Sequence, residues 1–170
     1  MTNKALVSIF NTLKSDTIFF GPQGFVVANT ELKLEKAQLG FGKDDTGADL
    51  SGDNAGDWQA FWCVIARDTE LGDPYFVDTS KNEQPVYTAF LGDLGWEVEL
   101  VSASLMGFVA CLNLLHSHGE QGEAQFVPDE NTIVDDATLA KLLELLSKSS
   151  ENQSYWKMFF RCYQDWLQEE

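Results

Sequence analysis

Apolar positions near the start of the chain repeat with the spacing of an amphipathic helix. Over residues 3–14 they fall three or four residues apart, so they share one helical face. Thr2 and Asn3 are both suitable N-caps for this helix. The apolar positions are Leu6, Ile9, Phe10 and Leu13.

The following segment has a less decisive pattern. A turn at Gly21-Pro-Gln-Gly24 precedes the apolar triplet 25–27, which is typical of a short strand. Residues 30–41 are compatible with two structures, because Leu32 and Leu34 alternate as in a strand while the same stretch would also suit a helix. We favour a strand there.

Four strand patterns follow one another across residues 58–101, with short turns between them. They cover residues 61–67, 75–78, 85–90 and 96–100. The first is an unbroken apolar run, as expected of a strand buried on both faces, whereas Trp96, Val98 and Leu100 alternate with glutamates and predict one buried face. Connections this short join antiparallel neighbours. The pattern therefore predicts a meander.

Helical periodicity dominates the rest of the chain. Apolar residues between Leu105 and Leu115 share one face, and Gly119 marks the end of that helix. Ser102 and Ser104 are both candidate N-caps.

Two further helices follow a long loop. Residues 119–136 contain six acidic residues, one proline and no basic residue, which predicts a loop. The next helix is lined by Leu139, Leu142, Leu143 and Leu146. The last helix is predicted to begin at the capping box Ser150-Glu-Asn-Gln153. Its apolar residues are Tyr155, Trp156, Phe159, Phe160, Cys162, Tyr163, Trp166 and Leu167.

These elements predict an α+β fold. We expect a curved antiparallel sheet, a meander of at least four strands, flanked by helices and followed by a C-terminal helical pair. Residues 1–118 would form the α+β core, and residues 119–170 an acidic loop and helical extension packed on the same domain.

Charge is concentrated in the middle of the chain. The full sequence has 11 basic and 27 acidic residues, and residues 44–140 hold 19 acidic and two basic residues, a net charge of −17. Such a field repels nucleic acid and anionic membranes and attracts basic partners, although solubility alone also explains an acidic surface. The chain shows neither a secretory signal pattern nor an apolar run long enough to span a membrane. We expect a cytoplasmic protein.

One acidic segment is a candidate contact surface. Residues 44–57, DDTGADLSGDNAGD, hold five aspartates and three glycines and predict a solvated loop. The segment lacks the bidentate glutamate and the ligand register of an EF-hand loop, which argues against calcium.

No strong catalytic constellation is present. The chain has no phosphate-binding glycine loop, nucleophile elbow or Cys-x-x-Cys pair. His116 and His118 would point about 200° apart on a helix, so they cannot share a metal ion there. We therefore expect no enzyme activity, no metal site and no cofactor.

The cysteines and the turn aspartates have structural interpretations. Cys63, Cys111 and Cys162 lie in apolar patterns and are expected to be reduced core thiols. Asp68, Asp73 and Asp78 flank turns, where carboxylates commonly accept hydrogen bonds from the local backbone; catalysis is the less favoured alternative.

A set of ordered motifs crosses the middle of the chain. It comprises Asp57-Trp58, Val64-Ile-Ala-Arg-Asp68, Gly72-Asp-Pro-Tyr-Phe-Val-Asp78, Pro85-Val-Tyr87, Gly92, Gly95-Trp96, Ser102-Ala-Ser-Leu105 and Phe108, with Ala37-Gln-Leu-Gly-Phe41 upstream. This series resembles the SUKH superfamily, which includes bacterial immunity proteins of polymorphic toxin systems and relatives of a yeast regulator of cell-wall glucan synthesis. The resemblance spans about residues 25–115. Leu91 departs from it, since a histidine often stands there.

The resemblance implies an antiparallel α+β fold without catalysis. Many members are thought to bind and neutralise a cognate toxin. The motif residues look like scaffold and include Trp58, Gly72, Asp73, Pro74, Asp78, Pro85, Trp96 and Ser104.

Charge and resemblance together predict a non-catalytic binding protein, an immunity protein for a basic toxin such as a nuclease. The candidate contacts are Asp44, Asp45, Asp49, Asp53, Asp57, Glu97 and Glu99. The 119–136 loop is a second candidate, and Trp156 or Trp166 could supply a packed aromatic anchor, although we favour core positions for most aromatic residues of that helix. The alternatives are an intracellular regulator or scaffold, and a small hydrolase or metal protein that uses the two histidines.

Overall fold

A computed structural model gives the fold and describes residues 2–119 and 122–169. That part of the chain holds five helices and six strands. In chain order they are α1 (Asn3–Phe10), β1 (Thr17–Phe20), β2 (Gln23–Val27), α2 (Glu31–Ala37), β3 (Trp62–Asp68), β4 (Pro74–Asp78), β5 (Val86–Gly92), β6 (Gly95–Ser102), α3 (Leu105–Gly119), α4 (Asp136–Ser150) and α5 (Ser154–Leu167).

The six strands form one antiparallel sheet in the order β1-β2-β3-β4-β5-β6. Each strand pairs with its neighbour in sequence, as short connections require. The predicted α+β class and the meander of at least four strands are confirmed. β2 matches the strand predicted at residues 25–27, whereas no sequence pattern predicts β1.

Helices cover one face of the sheet, and we call the apolar cluster beneath them the helix-side core. Phe25 of β2 lies at its centre, with its ring centroid 5.0 Å from that of Tyr75 and 5.8 Å from that of Phe159. Every one of α1, α3, α4 and α5 contributes buried residues. They include Leu6, Phe10, Phe108, Leu112, Leu139, Leu146, Trp156, Phe160 and Tyr163. The C-terminal helices therefore pack on the same sheet face as α1 and α3.

The opposite face carries a smaller cluster, which we call the far-side core. Its centre is Trp58, which is 2% exposed, and its buried neighbours are Val64, Phe76 and Ala89. Partly buried Phe41, Trp62, Tyr87 and Trp96 surround them. Because both faces are covered, three consecutive residues of β3, from Val64 to Ala66, are at most 1% exposed. The expectation that this strand is buried on both faces is confirmed.

The strand favoured at residues 30–41 is wrong, since Glu31–Ala37 is helix α2. The hydroxyl of Thr30 accepts a hydrogen bond from the Lys33 backbone N–H at 3.2 Å and caps the helix. Leu34 is 1% exposed and Leu32 is 60% exposed, so the two leucines do not share a buried strand face.

The capping box predicted for the last helix is also wrong. Ser150 is the final residue of α4, where its hydroxyl donates to the Leu146 carbonyl at 2.8 Å. Glu151 then takes a left-handed conformation, with φ 53°, and turns the chain. Helix α5 begins at Ser154 behind Gln153, which makes no side-chain capping bond.

The alternation predicted for β6 is only partly present. Val98 is 41% exposed, whereas Val101 is completely buried in the helix-side core. An irregularity between Val86 and Tyr87 in the pairing with β6 shifts the register. The shift places an extra residue in β6, so Val101 keeps the helix-side phase of Glu97 and Glu99. Ser102, opposite Val86, turns to the same side.

Candidate functional site

The 44–57 segment, which we call the acidic loop, lies on the far side of the sheet. It contains no helix or strand, and its one isolated bridge joins Asp49 to Lys43, as predicted for a loop. Gln38 anchors the chain just before it: the side-chain Nε2 donates to the Val64 carbonyl at 2.8 Å, and Oε1 accepts from the Val64 N–H at 2.9 Å. The Gln38 side chain thus makes the same two hydrogen bonds to Val64 that the backbone of a neighbouring strand would make.

Three of the five loop aspartates hold the loop in shape. Asp44 Oδ1 accepts the backbone N–H groups of Thr46 and Ala48, both at 2.9 Å, and the Thr46 hydroxyl at 2.7 Å. Asp49 Oδ1 accepts the N–H and the hydroxyl of Ser51 at 2.8 and 2.7 Å. Asp57 Oδ2 accepts the Asn54 N–H at 2.9 Å. Each aspartate closes a turn of its own backbone.

These hydrogen bonds also favour the ionised carboxylates. The Thr46 hydroxyl, followed by the Ala48 N–H, lowers the pKa of Asp44 below its ordinary value. The Ser51 N–H and hydroxyl lower the pKa of Asp49. Donors that point at a charged carboxylate stabilise it relative to the protonated form. The acidic loop therefore keeps these charges into acid solution.

Asp45 and Asp53 remain for contacts with other molecules. Both residues are exposed, and neither carboxylate has a hydrogen-bond partner within residues 2–119 and 122–169. Of the predicted contacts in the loop, these two are the ones that a partner can reach without breaking the turns.

The far end of the acidic loop is fixed to the β5–β6 hairpin. The Gly56 carbonyl accepts the Trp96 N–H at 2.8 Å. Gly56 and Gly95 both have positive φ, 88° and 112°, and lie backbone against backbone. The loop is thus held at Gln38, at the far-side core and at this hairpin.

A groove of about 320 Å³ runs beside the acidic loop. The groove is lined by loop residues such as Asp49 and by Trp58 and Trp62 of the far-side core. Lys43 and Cys63 also line it. Carboxylates next to an aromatic groove suit a side chain that is both apolar and cationic.

The two glutamates of β6 lie on the other face of the sheet from the acidic loop. Thr88 pairs with Tyr75 of the helix-side core and with Glu99, and paired residues share a face. Glu97, two residues away, therefore also faces the helix side. The structure therefore places the predicted contact residues on two opposite faces of the sheet.

The motif residues lie in turns, caps and the far-side core. Trp58 and Trp96 belong to the far-side core, Gly72 has a φ of 76°, and Pro74 and Pro85 are buried. Ser104 Oγ accepts the Gly107 N–H at 3.0 Å at the start of α3.

The turn aspartates differ from one another. Asp68 accepts backbone N–H groups from Glu70, Leu71 and Asp73 at 2.7 to 2.8 Å. Asp78 is 3% exposed, accepts the Ser80 N–H at 3.0 Å and pairs with Lys81 at 3.2 Å. The side chain of Asp73 makes no such local bond in the described part of the chain.

The three cysteines do not share one environment. Cys111 is buried and Cys63 is partly buried, and burial raises their thiol pKa values to about 12 and about 11. Cys162 is exposed on α5, so the prediction that it is a core thiol is wrong. Cys162 lies outside the set of buried aromatic residues that α5 packs into the core.

The remaining candidates are placed as follows. Trp156 and Trp166 are 0% and 9% exposed, so neither offers an open anchor.

Residues 120 and 121 of the second candidate loop lie outside the described residues. Farther along that loop, Phe126 is 75% exposed, and its carbonyl accepts the Trp166 indole N–H at 3.2 Å. Across residues 2–119 and 122–169, no three His, Cys, Asp or Glu side chains are grouped to hold a metal ion.

Comparison with known proteins leaves the family open. No protein-family model, no curated protein and no solved structure matches the chain. In the described ranges, no helix has both the length and the apolar character needed to cross a bilayer.

Proposed function

We propose that this chain is a non-catalytic binding module for a basic protein, and that the acidic loop is the surface that this partner meets. The acidic loop carries the proposal, since three of its carboxylates fix its shape and leave Asp45 and Asp53 exposed on an ordered frame. A surface ordered before binding loses little conformational entropy on association. The net charge of −17 over residues 44–140 adds a field that steers cationic partners towards it.

The resemblance to the SUKH superfamily supports a more specific form of this proposal. In that form the chain is an immunity protein, acting in the cytoplasm, that neutralises a cognate bacterial toxin. Nucleases hold phosphates on basic surfaces, so carboxylates placed where phosphates would bind occlude such a site. Neither a cofactor nor catalysis by this chain is needed for that role.

The test uses two charge-reversed variants of equal net charge. Asp45→Lys with Asp53→Lys alters the acidic loop, and Glu83→Lys with Asp165→Lys alters exposed acids outside both candidate loops. The tagged wild-type chain is used to recover a partner from the native cell at low salt, and the partner is then purified and its binding kinetics are measured. We expect the loop variant to associate about tenfold more slowly, with little change in dissociation, and the control variant to resemble the wild type.

Two outcomes would contradict the proposal at different levels. Equal association rates for the two variants would reject the acidic loop as the contact surface. A partner that is harmless when expressed alone would reject the immunity role and favour the regulator or scaffold. A basic partner that is lethal alone and tolerated on co-expression with this chain would support both the binding of a basic protein and the immunity role.

A further inference from the structure

A second cleft opens on the helix side of the sheet, where the β3–β4 hairpin meets the start of α5. It has a volume of about 170 Å³. We call it the tyrosine cleft, and its polar lining consists of Gln23, Asp68, Glu70, Asp73, Tyr75 and Tyr155. It lies across the sheet from the acidic loop and is a separate surface.

Two phenol groups form the inner end of the tyrosine cleft. The hydroxyl oxygens of Tyr75 and Tyr155 are 2.7 Å apart, and Tyr75 is 6% exposed. Burial raises the pKa values of both phenols, and the charge of Asp68 raises them further. Both groups therefore stay neutral, and only one of the two O–H groups is used by their shared hydrogen bond.

Carboxylates surround this pair, and no cation of the described chain neutralises them. Within residues 2–119 and 122–169, ion pairs join Lys33 to Asp16, Lys81 to Asp78 and Lys141 to Glu144, all away from the cleft. Loss of solvent, followed by the charge of Asp68, raises the pKa values of Glu70 and Asp73. The cleft thus concentrates negative charge that these groups bear at some cost.

An unused acceptor belongs to one of the residues that line the cleft. The side-chain Oε1 of Gln23, which lines the tyrosine cleft, is buried and has no hydrogen-bond partner within the described ranges. A buried amide oxygen without a partner is costly, and a donor that reached it would remove that cost. Carboxylates, an amide oxygen and phenol oxygens together call for a ligand with several N–H donors and a positive charge.

The geometry distinguishes between kinds of cation. The carboxylates of the described residues are not grouped closely enough to hold a metal ion. A guanidinium is larger, carries five N–H donors in a plane and packs on aromatic rings, so it can reach separated acceptors at once. We propose that the tyrosine cleft receives an arginine side chain of the basic partner, an inference that rests on the proposed function.

The cleft would anchor one arginine of the partner on the helix side of the sheet, while the acidic loop contacts the partner on the far side. Arginine is enriched among the residues that dominate binding energy at protein interfaces. On the same face of the sheet, Glu97 pairs with Phe90, which is 54% exposed, and Glu99 adds a further charge near Tyr155. Basic and apolar groups of the partner next to the arginine would meet these side chains. This assigns a role to the two glutamates on the opposite face of the sheet from the acidic loop.

The first test uses a defined probe, the peptide acetyl-Gly-Arg-Gly-amide, with the citrulline peptide as its uncharged match. Titration into isotope-labelled protein should shift the NMR signals of the Gln23 side-chain amide and of the Glu70, Leu71 and Asp73 backbone amides. The citrulline peptide should leave them in place. Shifts confined to the acidic loop, or equal shifts with citrulline, would overturn the proposal.

Matched variants then locate the binding. Asp73→Asn removes a charge and Tyr155→Phe removes a hydroxyl from the cleft, each with little change in volume, and Asp45→Asn removes a charge from the acidic loop. We expect about tenfold weaker peptide binding for the two cleft variants and no change for Asp45→Asn. Equal weakening in all three would show general charge attraction and reject a built site. Glu70→Gln, at an exposed position, replaces any cleft variant that fails to fold.

The purified partner separates this proposal from the proposed function. If the tyrosine cleft anchors the partner, Asp73→Asn should increase the dissociation rate, whereas reversal of Asp45 and Asp53 should slow association. A partner that binds normally to Asp73→Asn but poorly to the loop variant would reject the arginine site and leave the proposed function standing.

Discussion

Gly56 and Gly95 lie backbone against backbone, so that a Cβ on either glycine would collide with main-chain atoms of the hairpin or the loop. The Trp96 N–H donates to the Gly56 carbonyl at 2.8 Å at the same point. Both glycines also have positive φ. This contact attaches the end of the acidic loop to β6, and only two glycines at these positions allow it.

Gly56→Ala should detach the end of the acidic loop. The added Cβ meets the Leu94 carbonyl, and alanine is also strained at a φ of 88°. Gly47→Ala is the matched control, since Gly47 has a φ of 85° but no atom within 4 Å of an added Cβ. We expect Gly56→Ala to lower the free energy of unfolding by about 1–3 kcal/mol more than Gly47→Ala does, measured by urea denaturation. Equal losses would show that the conformational strain, and not the contact, decides stability here.

Trp58→Ala should destabilise the protein strongly. Trp58 is 2% exposed, and its ring centroid lies 4.9 Å from that of Phe76 and 5.3 Å from those of Trp62 and Trp96. Loss of a large buried aromatic side chain costs about 3–5 kcal/mol, and calorimetry would measure it as a lower Tm. Leu94→Ala, at a residue 92% exposed, should change Tm little. Similar Tm values for both variants would mean that the far-side core contributes little to folding.

Thr46→Ala should raise the pKa of Asp44. The Thr46 hydroxyl is the largest cause of the lowered pKa, so its removal should return the midpoint towards the ordinary value of 3.8. Because the folded-state pKa lies below the unfolded one, the ionised carboxylate stabilises the folded loop above the unfolded pKa. That contribution is lost as pH falls through the folded pKa. A carboxyl-carbon NMR titration measures both midpoints, and an unchanged midpoint in Thr46→Ala would contradict the assignment.

The native protein should present one readily modified thiol. Cys162 is exposed, whereas burial raises the thiol pKa of Cys111 to about 12 and that of Cys63 to about 11. The thiolate is the reactive form, so the two thiols with raised pKa values react slowly at neutral pH. A disulfide reagent that releases a coloured thiol should count one fast group in buffer and three in denaturant. Cys162→Ser should abolish the fast phase, and a fast phase that survives would contradict this placement.

Local patterns in the sequence were sufficient for most elements of the fold. The meander follows from short turns between strand patterns, and α3 follows from one apolar face between Ser104 and Gly119, because period and turn chemistry are properties of neighbouring residues. The short β1 has too few residues to show a period. The alternation of Leu32 and Leu34 does not reflect a strand, because both residues lie in helix α2. Leu34 is buried and Leu32 is exposed, a difference that only the tertiary structure shows.

The candidate surfaces depended on both the sequence and the tertiary structure. The amount of negative charge and its location between residues 44 and 140 are determined by the sequence itself. Only the tertiary structure decided that the acidic loop and Glu99 lie on opposite faces, because strand pairing sets which way each side chain points. It also brought Tyr75 and Tyr155, 80 residues apart, to a shared hydrogen bond. Contacts at such separations depend on how helices pack on a sheet, which no local pattern encodes.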